Sequence, residues 1–248
     1  MSNQQLILRY LKISFGLIIP IALLFFVLHR SGVPTTNTLL GAVGLGIGGG
    51  STAIAGLVTA KTSGKVSKYG EVLRDFFALR QPASAYFLVF TFLLLNFGAV
   101  FRPISLRSFL GYFLLSLLFG GIEELGWRYI FQPMLEVHYS FVSATLLTAL
   151  AWGLWHILYF VLNGALFSMT ATELVIFFIG LLGNSFILAA IFFITESLWL
   201  CVLYHACLNA FTQLLGGGNL LYSIILTLLS MGVSCLLVYW TEKGRVSR

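Results

Sequence analysis

The chain has 248 residues, of which 59% are hydrophobic and only 9% are charged, and its mean hydropathy is +0.98. About a quarter of the residues in soluble domains are charged, so this composition excludes a soluble globular protein and indicates an integral membrane protein. We interpret the formal net charge of +6 as basic residues that indicate the membrane topology and attract anionic lipid. We therefore expect the lipid bilayer, and no nucleic acid, as a partner.

Eight apolar runs follow one another along the chain, each close to the roughly 20 residues that a helix needs to cross a bilayer. They cover residues 11–29, 38–60, 84–101, 108–134, 141–163, 173–195, 197–215 and 220–240. No repeated strand-like alternation occurs, and backbone groups in lipid must be hydrogen-bonded internally, so we expect helices and no barrel. The predicted fold is all-α, a polytopic helical membrane bundle of about eight transmembrane helices, in a single domain over residues 1–248.

Basic residues indicate the orientation, because Lys and Arg are enriched in short cytoplasmic loops. If both termini are cytoplasmic, ten Lys and Arg lie on the inner side and only Arg30, Arg102 and Arg107 on the outer side. The inner residues are Arg9, Lys12, Lys61, Lys65, Lys68, Arg74, Arg80, Lys243, Arg245 and Arg248. No small-residue cleavage site follows the first apolar run, so we expect this run to be a retained span and not a signal peptide.

Two further stretches of the sequence predict local structural features. Residues 60–84 form a polar stretch that contains scattered apolar residues, which predicts a short amphipathic helix in the cytoplasmic interface. These apolar residues are Val72, Leu73, Phe76, Phe77 and Leu79. Residues 41–56 are rich in glycine and alanine, which in lipid predicts a close approach between helices.

Charged residues within the spans are concentrated in one stretch, FGGIEELGWRYIF at residues 119–131, here called the acidic segment. A charge at the centre of a membrane helix costs about 2.5–3.5 kcal/mol, so three together should be paired and face a protein interior or a cavity. Glu124 and Arg128 are four residues apart and share a helix face, whereas Glu123 points about 100° away. We predict an ion pair between Glu124 and Arg128, with Glu123 left as a general base.

Two of the four histidines, His156 and His205, also lie within predicted spans, and Asn209 follows His205 on the same helix face. Together with Glu123 they offer a carboxylate, two imidazoles and an amide, which suits water activation and oxyanion stabilisation in a hydrolase. A structural interpretation stays open, because His and Asn often form hydrogen bonds between membrane helices and a buried ion pair can be purely structural. Trp152 is most simply a packing or lining residue.

The sequences EELGWR, WGLWH and HACLN resemble the three motifs EExxxR, F/WxxxH and HxxxN of the CPBP family of intramembrane proteases, also known as CAAX prenyl protease 2 or Abi proteins. The resemblance covers about residues 108–213. The second motif has Trp152 where many members have Phe, a change that keeps an aromatic wall and alters the width of the pocket.

The resemblance implies an intramembrane endopeptidase that cleaves a membrane-associated peptide or protein. It implies that Glu123 activates water with His156 and that His205 and Asn209 stabilise the oxyanion. Glu124 and Arg128 would support this site. Compact bacterial members of the family are linked to peptide maturation and bacteriocin self-immunity, so we expect a multi-pass protein of a bacterial plasma membrane.

A metal cofactor is an open question at this stage. Glu123, His156 and His205 could form a zinc site of two histidines and one carboxylate, and the family is often classed among metalloproteases. Water activation by glutamate needs no ion, and we prefer this metal-independent chemistry. Two other functions remain as alternatives: a non-catalytic membrane immunity or scaffold protein, and an ion-coupled transporter in which buried ionisable residues relay protons.

Overall fold

A computed structural model describes residues 1–35, 37–100, 102–216 and 219–246, and over these residues the chain is helical without strands. The predicted all-α fold is therefore confirmed. Arg248, which we counted among the inner basic residues, lies outside the described residues. The helices are α1 Asn3–Arg30, α2 Leu39–Gly44, α3 Ser51–Thr62, α4 Tyr69–Phe76, α5 Ala83–Phe97, α6 Leu106–Phe119, α7 Glu124–Gly126, α8 Gln132–Glu136, α9 Phe141–Leu162, α10 Ala171–Thr195, α11 Leu198–Leu215 and α12 Leu220–Val246.

Six helical segments of the described chain are long and apolar enough to cross a membrane. They are Asn3–Arg30, Leu106–Glu136, Phe141–Leu162, Ala171–Thr195, Leu198–Leu215 and Leu220–Arg245. A seventh span results if Leu39–Gly49 and Ser51–Thr62 count as one span, which is bent by 42°. The remaining predicted run, 84–101, corresponds to α5, a helix of only 15 residues. The protein is thus an integral membrane protein, and the number eight stays a prediction.

The helices that carry the polar residues lie inside the bundle. Within an 18-residue apolar stretch of α9 and of α11, 61% of the residues are buried, against 22% in the corresponding stretches of α1 and α12. The Ser140 side chain caps α9 and the Ser197 side chain caps α11, each accepting a hydrogen bond from a backbone N–H of the first turn. Glu196 adopts a left-handed conformation with φ 53°, which ends α10 and starts a tight turn into α11.

Glycines bring α3 against the acidic segment. A Cβ atom at Gly56 would lie 2.7 Å from the Leu125 carbonyl oxygen and 3.0 Å from the Gly126 Cα atom. Cβ atoms at Gly44 and Gly48 would likewise overlap side chains of other helices. The predicted close approach over residues 41–56 is therefore confirmed, and it fixes one side of the candidate site.

The amphipathic helix is shorter than the polar stretch that predicted it. Helix α4 ends at Phe76, so Phe77 and Leu79 lie beyond it. Val72 is its buried residue. The Tyr129 hydroxyl donates a hydrogen bond of 2.7 Å to Asp75 on this helix, which connects α4 directly to the acidic segment.

Candidate active site

The acidic segment is not a regular α-helix. After α6 the chain forms a 3-10 turn at Gly121–Glu123, the single turn α7, a π-helical turn at Trp127–Phe131, and then α8. A tightened turn followed by a widened one changes the angle between successive side chains, so the angle of a regular helix does not describe how Glu123 and Glu124 are separated. Such irregular turns within long helices often mark functional sites.

Glu124 is fully buried and binds two partners. Its Oε2 atom lies 3.5 Å from Arg128 Nε, which confirms the predicted ion pair. Its Oε1 atom lies 2.7 Å from Nδ1 of His205, a contact that sequence reasoning missed. The two residues are 81 positions apart on different helices, and spacing within one helix carries no signal for such a pair.

Arg128 is fully buried as well. Its guanidinium donates to the Ser185 hydroxyl at 3.2 Å and, over a longer distance of 3.5 Å, to the Gln132 side-chain carbonyl. It also lies over the Trp152 ring, 5.2 Å from the centroid. A buried cation is tolerated only when it is paired and hydrogen-bonded. Ser185 and Gln132 therefore complete the arrangement that Glu124 begins.

Glu123 is 5% exposed, and its Oε2 atom accepts a hydrogen bond of 2.8 Å from the indole N–H of Trp152. Within the described part of the chain, it makes no hydrogen bond to His156 or His205. Trp152 is therefore more than a lining residue, because it holds the carboxylate that the sequence predicts as the base. The signal was present in the second motif, since the indole of Trp152 has an N–H donor that a Phe lacks.

Both histidines use Nδ1 for a fixed contact. Nδ1 of His156 lies 2.9 Å from the Trp152 carbonyl oxygen, and Nδ1 of His205 faces the Glu124 carboxylate. Carbonyl and ionised carboxylate oxygens only accept hydrogen bonds, so Nδ1 carries the proton in each ring. The Nε2 atom of each imidazole takes no part in these contacts and is available to water or to a ligand.

The backbone of Gly120 brings His205 and Asn209 together. A Cβ atom at Gly120 would overlap Nδ2 of Asn209 and lie 3.2 Å from Nε2 of His205. The Asn209 side chain makes no hydrogen bond to any residue that the structure describes, so its amide N–H groups are available to a ligand. The two residues therefore present nitrogen atoms beside the same short piece of backbone, as their shared helix face predicts.

A cavity of about 320 Å³ lies beside these groups. Trp152, His156, His205 and Asn209 all line it. Glu123 is not one of the lining residues, and it is connected to the cavity by the hydrogen bond from Trp152. Three of the six predicted site residues thus line one cavity, whereas Glu123, Glu124 and Arg128 support them from within the protein.

The residues considered for zinc do not form a metal site in this arrangement. Among the described residues, no group of three His, Cys, Asp or Glu side chains is placed to hold a metal ion together. The Nδ1 atoms of both histidines and one oxygen of Glu123 are also engaged by protein partners. The donor set therefore does not fit the two-histidine, one-carboxylate site in its present geometry.

Comparison with known families places this site in context. The family described as Rce1-like, type II CAAX prenyl endopeptidase, matches residues 104–211, and all six candidate residues fall within that range. No curated protein matches the chain. The match agrees with the three ordered motifs and with the helical membrane fold. The match over residues 104–211 therefore supports the CPBP family of CAAX-protease-like membrane proteins.

Proposed function

We propose that this protein is an intramembrane endopeptidase that hydrolyses a peptide bond of a membrane-associated peptide or protein. The observation that carries the proposal is the cavity of about 320 Å³ on which His156, His205 and Asn209 converge. Glu123 is joined to that cavity through Trp152. An apolar pocket with a few convergent polar groups is the usual form of a small-substrate site.

In the proposed reaction, a water molecule attacks the carbonyl carbon of the scissile peptide bond. Glu123 accepts the proton that the water loses, and Nε2 of His156, which has a free lone pair, accepts a hydrogen bond from the same water. The proton then passes to the nitrogen of the leaving amine. Protonation of that nitrogen lets the carbon–nitrogen bond break without forming an amide anion.

The oxyanion of the tetrahedral intermediate needs hydrogen-bond donors. Asn209 supplies its amide N–H, and His205 supplies Nε2–H when the imidazole is cationic. The Glu124 carboxylate, 2.7 Å from Nδ1, stabilises that cation and fixes the orientation of the ring. In this scheme Glu124 is a positioning residue for His205, and Arg128 keeps Glu124 in place.

We further propose that the protein acts in a bacterial plasma membrane with both termini cytoplasmic, in peptide maturation or bacteriocin self-immunity. The excess of basic residues on one side supports the orientation. The alternative is a non-catalytic membrane immunity or scaffold protein. The position of Glu123 outside the cavity lining favours that alternative, because a general base must come within hydrogen-bond distance of its water.

The test compares the membrane peptide pools of cells that carry the wild-type protein and the Glu123→Gln variant. We expect a peptide that is present with the wild type and missing with Glu123→Gln, because the amide cannot accept the proton from water. Glu242→Gln is the matched control, since Glu242 is exposed near the end of α12, and it should give the wild-type pool. Identical pools in all three strains would contradict catalysis and favour the non-catalytic alternative.

A further inference from the structure

Part of the cavity wall comes from helices outside the family match. Helix α5 contributes Asn96 and Phe97, and α12 contributes a row of hydroxyl side chains. This row consists of Ser223, Thr227 and Ser230. Their spacing of four and three residues places them on one helix face. The motifs that define the chemistry therefore do not define this wall.

Two of the three hydroxyls have no hydrogen-bond partner among the described residues. The Thr227 hydroxyl donates to the Ile179 carbonyl oxygen at 2.8 Å and serves helix packing. The side chains of Ser223 and Ser230 make no hydrogen bond within the described parts of the chain. Ser230 is only 1% exposed as a whole residue and lines the cavity.

An unpaired buried hydroxyl needs an explanation in a membrane helix. Serine and threonine in such helices commonly bond to a carbonyl of the preceding turn, as Thr241 does with Leu237 at 2.8 Å on the same helix. Ser230 makes no such bond among the described residues, and leaving a buried hydroxyl unpaired costs about 1–3 kcal/mol. Ser234 is unpaired as well, but of these two hydroxyls only that of Ser230 belongs to a residue that lines the cavity. A ligand in the cavity would satisfy it.

Similar groups face the cavity from α11. Asn209 and Thr212 are three residues apart, line the same cavity, and make no side-chain hydrogen bond to a described residue. Apolar side chains such as Phe177 and Leu208 line the space as well. The cavity thus combines unpaired donors and acceptors on two helices with apolar surface between them.

We propose that Ser223 and Ser230, here called the α12 wall, bind the backbone of an extended peptide substrate and so hold it in the cavity. The inference deepens the proposed protease function and rests on it. A peptide backbone at hydrocarbon depth must have its N–H and C=O groups hydrogen-bonded, and a hydroxyl both donates and accepts. A lipid chain would gain nothing from these hydroxyls and would leave them unpaired.

The spacing of the α12 wall fits an extended chain. Seven residues of α-helix rise about 10 Å, and an extended peptide advances about 3.3 Å per residue. Ser223 and Ser230 would therefore contact substrate residues about three positions apart. Substrate side chains on the alternate face would point toward the apolar lining.

The experiment measures binding without turnover, in the Glu123→Gln background. The probe is a library of unmodified, predominantly apolar ten-residue peptides, and the comparison ligand is farnesylcysteine methyl ester. Bound peptides are eluted from the purified protein and quantified by mass spectrometry. The variants are Ser223→Ala, Ser230→Ala and the double replacement, with Ser234→Ala as the matched control. Ser234 lies one turn further along α12 and does not line the cavity. Its buried hydroxyl has no hydrogen-bond partner in the part of the chain that the structure describes.

We expect peptide retention to fall about fivefold for each hydroxyl and about 25-fold for both, as for the loss of one and two neutral hydrogen bonds. Ser234→Ala should retain peptides like its parent, and no variant should melt below its parent, because each replacement removes a hydroxyl that has no partner among the described residues. Retention of the farnesyl ester should not change. Unchanged peptide retention in the double variant, no peptide retention by the parent, or stronger retention of the farnesyl ester in the double variant would overturn the proposal.

The result is separate from the test of catalysis. If the α12 wall proves to bind peptides while the membrane peptide pools are identical, the proposed catalysis fails and the inferred binding surface stands. If a peptide disappears with Glu123→Gln while the alanine variants bind the library normally, catalysis stands and the α12 wall is not a peptide site.

Discussion

Replacing Trp152 with Phe removes one hydrogen bond from Glu123 and leaves an aromatic ring in the cavity wall. The lost bond is short, 2.8 Å, and joins two buried side chains. Hydrogen bonds to charged groups contribute about 1.5–3 kcal/mol. If the bond holds Glu123 in its reactive orientation, the kcat of Trp152→Phe should fall roughly 10- to 150-fold. KM should stay within about twofold, because the phenyl ring retains most of the apolar contact.

The assay measures initial rates on the peptide identified from the membrane pools, with purified protein in detergent. Trp199→Phe is the matched control. Trp199 is a buried tryptophan of α11 whose indole N–H donates to the Tyr86 hydroxyl at 3.1 Å, and it does not line the cavity. This variant also loses a buried indole donor, so it reports the general cost of that loss. We expect its kcat to match the wild type.

Full kcat in Trp152→Phe, at an unchanged melting temperature, would refute the positioning role of the indole. An equal loss of kcat in both tryptophan variants would also refute it, because the effect would then follow from lost stability. A large rise in KM at normal kcat would assign Trp152 to substrate binding alone.

Three further outcomes are expected. Arg128→Met should lower the free energy of unfolding in detergent by about 3–5 kcal/mol, because it leaves the Glu124 charge buried and unpaired. The double variant with Glu124→Gln should recover part of this loss. A double variant less stable than Arg128→Met would contradict the ion pair. Gly120→Ala should reduce the cleavage rate at least about tenfold, since its methyl group would displace the Asn209 amide. The control Gly111→Ala places its methyl group in open space and should leave the cleavage rate unchanged. Equal rates in the two variants would argue against an oxyanion site at Asn209. Chelation of the purified protein should leave the cleavage rate unchanged, and loss of activity together with stoichiometric zinc in a metal analysis would show that the donor groups rearrange to bind an ion.

Features within one helix could be predicted from the sequence. The ion pair of Glu124 and Arg128 follows from a spacing of four, and it survives the irregular turns between them. The positions of the long spans follow from hydropathy, which depends only on the local composition of each stretch of sequence. The close approach at Gly56 follows from small residues in a lipid environment.

Features that depend on the arrangement of helices could not be predicted in this way. The contacts from Glu124 to His205 and from Glu123 to Trp152 join different helices, and no periodicity within one segment encodes them. Hydropathy also does not distinguish a straight span from a bent one. The run at residues 38–60 therefore reads as one helix, although the structure bends it by 42° between Gly49 and Ser51.

The cavity is lined both by residues inside the family match and by residues outside it. The catalytic candidates lie within residues 104–211, where the family match applies. Ser223 and Ser230 lie on α12, beyond that range, yet they line the same cavity. Similarity over the motifs therefore supports a common reaction without fixing what is bound. If the α12 wall holds the peptide backbone as proposed, substrate binding in this cavity depends on a helix that the family match does not include.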